Sequence, residues 1–251
     1  MIFVFPMAGE SRRFAHAGYD LPKFQLMMHG APLFDHAVAG FSAYFRKDRF
    51  LFVTSNAVGA AFVAERAMSL GLAKWETVNL GGGTSGQAET VMAGLEKAGI
   101  GDQEAIIIFN IDTFRPRYRK PGHVADPSCT GYLEVFRGDG SGWSYVARDP
   151  RSPARVAAVA EKLPISDLCC TGLYHFRKAG DFRWAYCHPA PPHSDAERAE
   201  RYVAPLYNAL IARGDRIGLT VIGPSEMICC GTPGEYELAQ GSDEIGRLLR
   251  P

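Results

Sequence analysis

The chain has 251 residues, 47% of them hydrophobic and 22% charged, which supports a sizeable core and excludes global disorder. Lys plus Arg equals Asp plus Glu at 27 each, so no long-range attraction to nucleic acid or an anionic membrane is expected, and a bound anion must be held locally. The six cysteines (Cys129, Cys169, Cys170, Cys187, Cys229 and Cys230) form no Cys-x-x-Cys motif, which suits neither a zinc site nor a disulfide framework and predicts free thiols in a cytoplasmic protein.

Residues 2–5 read as a buried strand, with no basic region ahead of them and too short an apolar run for a signal peptide. Nowhere does an apolar stretch approach the ~20 residues that cross a bilayer. A polar, Gly-containing segment over 8–20 leads to a helix predicted over 32–45. Pro32 suits its first position, and Leu33, Phe34, Ala37, Val38, Phe41, Tyr44 and Phe45 share one face. A strand over 50–54, a helix over 58–70 stopped by Gly71, and a strand over 75–79 follow. Gly81 to Gly86 opens a helix to about residue 98. The apolar run 105–109 reads as a central strand.

Strands alternating with helices predict an α/β fold, a three-layer α/β/α sandwich on a mostly parallel, Rossmann-like sheet. Ligands in such sheets sit beyond the carboxyl ends of the strands, here after Phe5, Asn79 and Phe109. The second half is richer in β-structure, with strands over 130–136, 155–161 and 170–176. A helical pattern over 194–213 has Ser194 and Glu197 as a capping box, Pro205 as a break and Gly214 as a stop. Thr232 and Glu235 form another capping box, with Pro233 at the first helical position. One domain over 1–251 is expected.

Four segments carry chemistry. Met7, Ala8, Gly9, Glu10 and Ser11 place small residues straight after a strand, where backbone N–H groups approach an anion closely, and Arg12 or Arg13 with Lys23 adds positive charge. The same pattern also fits a surface loop with solvated cations. Thr84, Ser85, Gly86 and Gln87 put hydroxyls at a helix N-terminus, either for an anion or base edge or as a plain cap from Thr84 to Gln87. Asn110 and Asp112 follow the central strand, where a carboxylate can hold Mg²⁺ against phosphate oxygens or simply close a turn. Glu161-Lys162 alone says nothing beyond a surface ion pair.

In this order the segments resemble the signature of the nucleotidyltransferases that make sugar nucleotides. The resembling residues are Val4 to Phe14, Pro22-Lys23, Gly83-Thr84-Ser85-Gly86, Asn110-Ile111-Asp112, Glu161-Lys162, Gly172-Leu173-Tyr174 and Gly231-Thr232-Pro233. The resemblance covers nearly the whole chain and implies the glycosyltransferase-A or nucleotidyltransferase type of sheet. It implies a nucleotide-binding half over 1–125 and an acceptor-binding half over 126–251. Arg13 and Lys23 would contact phosphates over the Met7 to Ser11 backbone, Thr84 to Gln87 the base, with Asn110 nearby, and Asp112 would hold Mg²⁺. Glu161, Lys162, Gly172 and Tyr174 would line the acceptor pocket, with Glu134 and Trp143 shaping it.

Two positions depart from the pattern. A second glycine is expected near Glu10 or Ser11, and an acid, the usual second metal ligand, where Cys229 stands. A neutral thiol is a poor ligand for Mg²⁺. That leaves three options: a metal keeping more water, substitution by Glu226 or Glu161, or an impaired enzyme.

The implied activity is transfer of a nucleotidyl group from an NTP, with CTP preferred, to a phosphorylated small molecule such as a sugar 1-phosphate. The branch resembled is that of bacterial capsule and surface-polysaccharide biosynthesis. An isoprenoid-type cytidylyltransferase and a nucleotide-binding regulatory protein are the alternatives. No nucleic-acid or membrane partner is expected, and a homo-oligomer is allowed.

Overall fold

The computed structural model describes residues 1–192, 195 and 200–249. Strand β1 (Ile2–Met7) leads into the short helix α1 (Arg12–His16), then a hairpin of two-residue strands, β2 (Met27–Met28) and β3 (Ala31–Pro32), and helix α2 (Leu33–Ala39). Strand β4 (Arg49–Thr54), helix α3 (Ala57–Ser69), strand β5 (Trp75–Asn79), helix α4 (Gln87–Lys97) and strand β6 (Ile106–Phe109) continue the alternation. The second half contributes β7 (Thr113–Phe114), β8 (Gly131–Arg137), β9 (Ser144–Asp149), β10 (Ser152–Glu161), β11 (Leu168–Phe176) and helix α5 (Ala179–Cys187). It ends with helix α6 (Leu206–Ala212), β12 (Ile217–Ile222), β13 (Ile228–Cys229), α7 (Pro233–Gln240) and α8 (Asp243–Leu248).

Nine strands form one sheet in the order β5-β4-β1-β6-β11-β8-β12-β10-β9. The first four run parallel. Strand β11 is antiparallel to both β6 and β8, β12 is parallel to β8, and β10 and β9 are antiparallel. The mostly parallel sheet expected from sequence is therefore a mixed one. The βα alternation that enforces parallel pairing stops at β6: β8 to β11 follow one another with no α-helix between them, and only β12, which comes after α5 and α6, pairs parallel with β8.

Each face of the sheet carries its own core, because side chains alternate along a strand. Ile2 and Val4 of β1 pack with Val91 and Leu95 of α4, Phe182 and Leu210. Phe3 and Phe5 face the other way, into Phe34, Phe41, Phe50, Phe52 and Val63. Rings dominate this second layer: Phe3 stacks on Phe50 at 5.0 Å, and Phe41 meets Phe109 edge-on at 5.0 Å. Each buried ring contributes on the order of 1.5–3 kcal/mol from burial alone.

Several boundaries shift for physical reasons. The helix expected over 32–45 stops at Ala39, and Gly40 leaves room for the Arg115 backbone, whose carbonyl a Cβ there would overlap. Tyr118 N–H donates to the Gly40 carbonyl at 3.0 Å, and the chain goes on as a short turn. Pro32 is the extended N-cap rather than the first helical residue. Helix α4 starts at Gln87 with Gly86 as N-cap, so 81–86 is loop. The capping box Ser194–Glu197 lies outside the described residues. Pro205 does break the pattern: it caps α6, and Gly214 follows with φ +95°. The Thr232–Glu235 box forms as expected, with both of its hydrogen bonds present.

Candidate active site

The carboxyl ends of β1 and β6, the start of α4 and the β7–β13 corner enclose a cleft of about 450 Å³. At its first end the chain leaves β1 through Ser11, whose φ of +51° lies in the left-handed region that glycine takes most easily. This is the position where the expected glycine is missing. Ser11 is held there by accepting the Lys23 N–H on its Oγ at 3.2 Å, which closes the loop back on the Pro22-Lys23 turn. Gly9, Ser11, Arg13 and Lys23 all line the cleft.

Lys23 Nζ donates to Asp112 Oδ2 at 2.6 Å. Asp112 follows β6 directly, and its carbonyl accepts the Cys230 N–H at 2.8 Å. Cys229 pairs with Thr113 in the small β7–β13 ladder. The Gly231-Thr232-Pro233 turn is thus docked on the backbone of the Asp112 segment. Beside it, Asn110 accepts a hydrogen bond from the Gln87 amide at the head of α4. Gly172 of β11, at φ +89°, closes this junction, because a Cβ there would overlap the Asn110 side chain.

Gly231 leaves open the corner between two carboxylates. A Cβ at this position would stand 3.3 Å from Asp112 Oδ2 and 3.6 Å from Glu235 Oε2. Burial above all, and then the charges of Glu235 and Asp112, pushes the Cys229 thiol up to about 12, so it is neutral at physiological pH. Among the described residues, no group of three or more His, Cys, Asp and Glu side chains is placed to hold a metal unaided.

At the far end Trp143, Ser144, Glu161, Gly172 and Tyr174 line the wall. Ser144 Oγ donates to Glu161, and the Trp143 ring sits edge-on to Phe136 at 5.0 Å.

Some expected residues lie elsewhere. Glu134 does not line the cleft: it is buried in an ion pair with Arg115, which donates to it at 2.8 and 3.1 Å. Desolvation raises its pKa, and Arg115 opposes the rise. Glu226, one of the substitutes considered for the missing acid, also turns to Arg115 and to the Gly223 N–H, away from the cleft. Glu10 pairs with Arg12 on the surface. Ser85 gives both its N–H and its hydroxyl to Glu89. Ala8 is buried. Thr84 bonds Thr90 and the Gly86 carbonyl, so the Thr84–Gln87 box does not form, although both residues face the cleft. Lys162 stands behind the wall, donating to the Tyr202 hydroxyl at 2.6 Å.

Thr90, Cys170, Glu200 and Tyr202 are among the lining residues that the sequence does not single out as site residues. Glu235 was read only as a helix cap, and it is one, but it also faces the cleft.

A solved structure described as the nucleoside-diphosphate-sugar pyrophosphorylase from Vibrio cholerae RC9 is 46% identical to this chain. It covers 94% of this chain and 98% of its own, with a TM-score of 0.87. The chain belongs to the sugar-phosphate nucleotidyltransferases.

More distant members share the fold. The inositol-1-phosphate CTP transferase from T. maritima superposes at TM-score 0.70 with 14% identity, covering 99% of this chain and 94% of its own. A UTP-bound UGPase from Acinetobacter baumannii superposes at 0.66 with 14% identity, covering 98% and 95%. No family model matches the chain, and no curated protein does. This nucleotidyltransferase is therefore an enzyme on a mixed Rossmann-like sheet. Among the described residues no helix is long and apolar enough to cross a membrane.

Proposed function

We propose that the enzyme joins an NTP, with CTP preferred, to a phosphorylated small acceptor such as a sugar 1-phosphate, supplying a precursor for a surface polysaccharide. The observation that carries this reading is the convergence of Arg13, Lys23, Thr84, Gln87 and Asp112 on one cleft whose other end is walled by Trp143, Glu161 and Tyr174. The acceptor's phosphate oxygen attacks the α-phosphorus of the NTP in line. A new P–O bond forms as the bond to the bridging oxygen breaks, and pyrophosphate leaves with that oxygen. The attacking phosphate is ionised at neutral pH, so no general base is needed, and catalysis is positioning plus charge neutralisation.

Arg13 and Lys23 neutralise the triphosphate. Gln87, tied to Asn110, offers its amide to the base. The corner at Gly231 suits Mg²⁺: the donors flanking it are carboxylate oxygens, which this ion prefers, and glycine sets no side chain of its own between them. Asp112 would hold the ion, with Glu235 the next carboxylate in reach of the corner. An ion held there by Asp112 would supply positive charge against the phosphates. One or two carboxylates plus phosphate oxygens suffice for this ion, so a neutral Cys229 is compatible with the reading.

Pyrophosphate release measured for four NTPs against a panel of phosphorylated acceptors with Mg²⁺ tests the assignment. Turnover with one acceptor class, fastest with CTP, is expected. No release from any pair would overturn the activity, and faster release with another NTP would overturn the CTP preference.

A further inference from the structure

Residues 200–202 form a strap that lies on the turn opening α4 and lines the cleft through Glu200 and Tyr202. The Ala88 N–H donates to the Arg201 carbonyl at 2.9 Å, and the Arg201 N–H donates to the Ser85 carbonyl at 3.3 Å. Gly86 makes this contact possible. A Cβ on it would come within 2.6 Å of the Arg201 oxygen and 2.7 Å of its nitrogen, closer than any real side chain stands. The Arg201 guanidinium packs 4.6 Å over the Tyr186 ring. The strap is therefore anchored by its backbone and by a cation–π contact before its other side chains are considered.

Tyr202 extends from this strap into the cleft wall. Its hydroxyl donates to Glu200 Oε2 at 2.6 Å and accepts from Lys162 Nζ at 2.6 Å. The same ammonium lies 4.9 Å from the centre of its ring. Burial and the neighbouring Glu200 raise the Tyr202 pKa, so the O–H stays on and its oxygen lone pairs remain turned to Lys162. Lys162 is itself fixed at its backbone, at φ +55°, where its N–H donates to the Trp143 carbonyl at 2.8 Å. A four-carbon side chain on a fixed backbone still has many rotamers, and the Tyr202 contact selects one of them.

We propose that Tyr202 is a positioning residue: carried on the strap across Gly86, it fixes the Lys162 ammonium directly behind the acceptor wall of the cleft, one side chain from the cavity, and so sets affinity for the acceptor's phosphate. This rests on the reading of Lys162 as part of the acceptor pocket. It assigns Tyr202 no contact with the reacting atoms. The interaction is a charge-assisted hydrogen bond, and losing such a bond typically weakens binding about tenfold or more.

Two measurements separate this proposal from the reaction it rests on. In the first, wild type and Tyr202→Phe are exposed to an isotope-coded amine reagent, and labelling at Lys162 is followed by peptide mass spectrometry. Labelling severalfold faster in the variant is expected, and equal rates would overturn the proposal whether or not the enzyme turns over. The second is a double-mutant cycle on pyrophosphate release with Tyr202→Phe and Lys162→Met. Tyr202→Phe should raise the acceptor KM about tenfold while kcat and the NTP KM stay within about twofold. The double variant should be no worse than Lys162→Met alone. Additive losses, or a loss in kcat instead of KM, would show that Tyr202 does not act through Lys162. If wild type turns over no acceptor, the proposed function falls while the labelling comparison still decides the role of Tyr202.

Discussion

The two ends of the cleft are built differently. The nucleotide end is made of loops leaving parallel strands and the head of one helix. Its charged side chains are the cations Arg13 and Lys23, set against the acids Asp112 and Glu235. The acceptor end is made of mixed-sheet strands and a strap. It shows rings (Trp143, Tyr174, Tyr202) and acids (Glu161, Glu200) to the cleft, with its lysine docked behind Tyr202. A triphosphate is the same in every NTP, so backbone groups and a few cations can serve it. An acceptor differs from enzyme to enzyme, and ring faces and oriented carboxylates supply shape and hydrogen bonds to tell one from another. Damage at the first end should lower kcat for every acceptor, and damage at the second should raise KM for one acceptor class.

The largest test is at the first end. Asp112→Ala and Lys23→Ala should each lower turnover at least ~100-fold, the scale of removing one preorganised electrostatic stabiliser. Pyrophosphate release at saturating substrates is the measurement. Near-normal turnover in purified Asp112→Ala would remove the metal role. An equal loss for sugar phosphates and other acceptors would uphold the division between the ends, and a selective loss would break it.

Gly172 tests where the ends meet. It belongs to β11, on the acceptor side, yet it packs against Asn110, which is tied to Gln87. Gly172→Ala introduces a Cβ at φ +89° that overlaps Asn110, with strain of about 1–3 kcal/mol. The expected result is an NTP affinity about tenfold weaker, read by calorimetry, together with a lower Tm. A change confined to the acceptor KM would mean that the junction does not transmit to the nucleotide.

This junction also marks how far the sequence could be read. Strands β1, β4 and β6 were legible because each is an apolar run punctuated by glycine or polar loops, and the end of β6 led straight to Asp112. Glu134 was misplaced because nothing local shows that an acid in a strand will be claimed by Arg115, an ion pair that forms only when the chain is folded. Glu200 and Tyr202 were missed for the same reason: their position depends on Arg201 lying across Gly86, a contact distant in sequence. Strand β12 went unread because Gly218 and Thr220 interrupt its apolar run. Roles for Arg13, Lys23 and Thr84 came from the ordered resemblance, since each motif alone fits an ordinary surface loop or cap.

The strand that joins the two ends carries a pH-sensitive group. His175 of β11 is buried against Tyr132, with rings stacked at 5.1 Å and no partner for Nδ1 among the described residues. Burial lowers its pKa to about 3. In the unfolded chain a histidine titrates near ~6.5, so below that pH the unfolded state takes up a proton that the folded state refuses. Stability falls as pH drops from ~6.5 toward the folded value, by up to ~1.4 kcal/mol per pH unit. His175→Phe keeps the ring and removes the titration. Its Tm should decline less than that of wild type between pH 6.5 and 5, and parallel declines would show that His175 is not what the acid sees.

The smallest effect bears on the corner between the ends. Cys229 is a neutral thiol there, pushed up to about 12 by burial and by the charges of Glu235 and Asp112. Those causes act on any acid placed at the position, so Cys229→Asp adds a carboxylate that is costly without a cation and favourable with one. Without Mg²⁺ the variant should melt below wild type, and added Mg²⁺ should raise its Tm by more than it raises that of wild type. The Mg²⁺ concentration giving half-maximal pyrophosphate release should fall severalfold, while Cys229→Ser, which adds no charge, should leave it unchanged. If the aspartate variant loses stability and Mg²⁺ restores none of it, the cation does not reach this corner. Asp112 would then act through its pairing with Lys23, and the nucleotide end would work by protein charges alone.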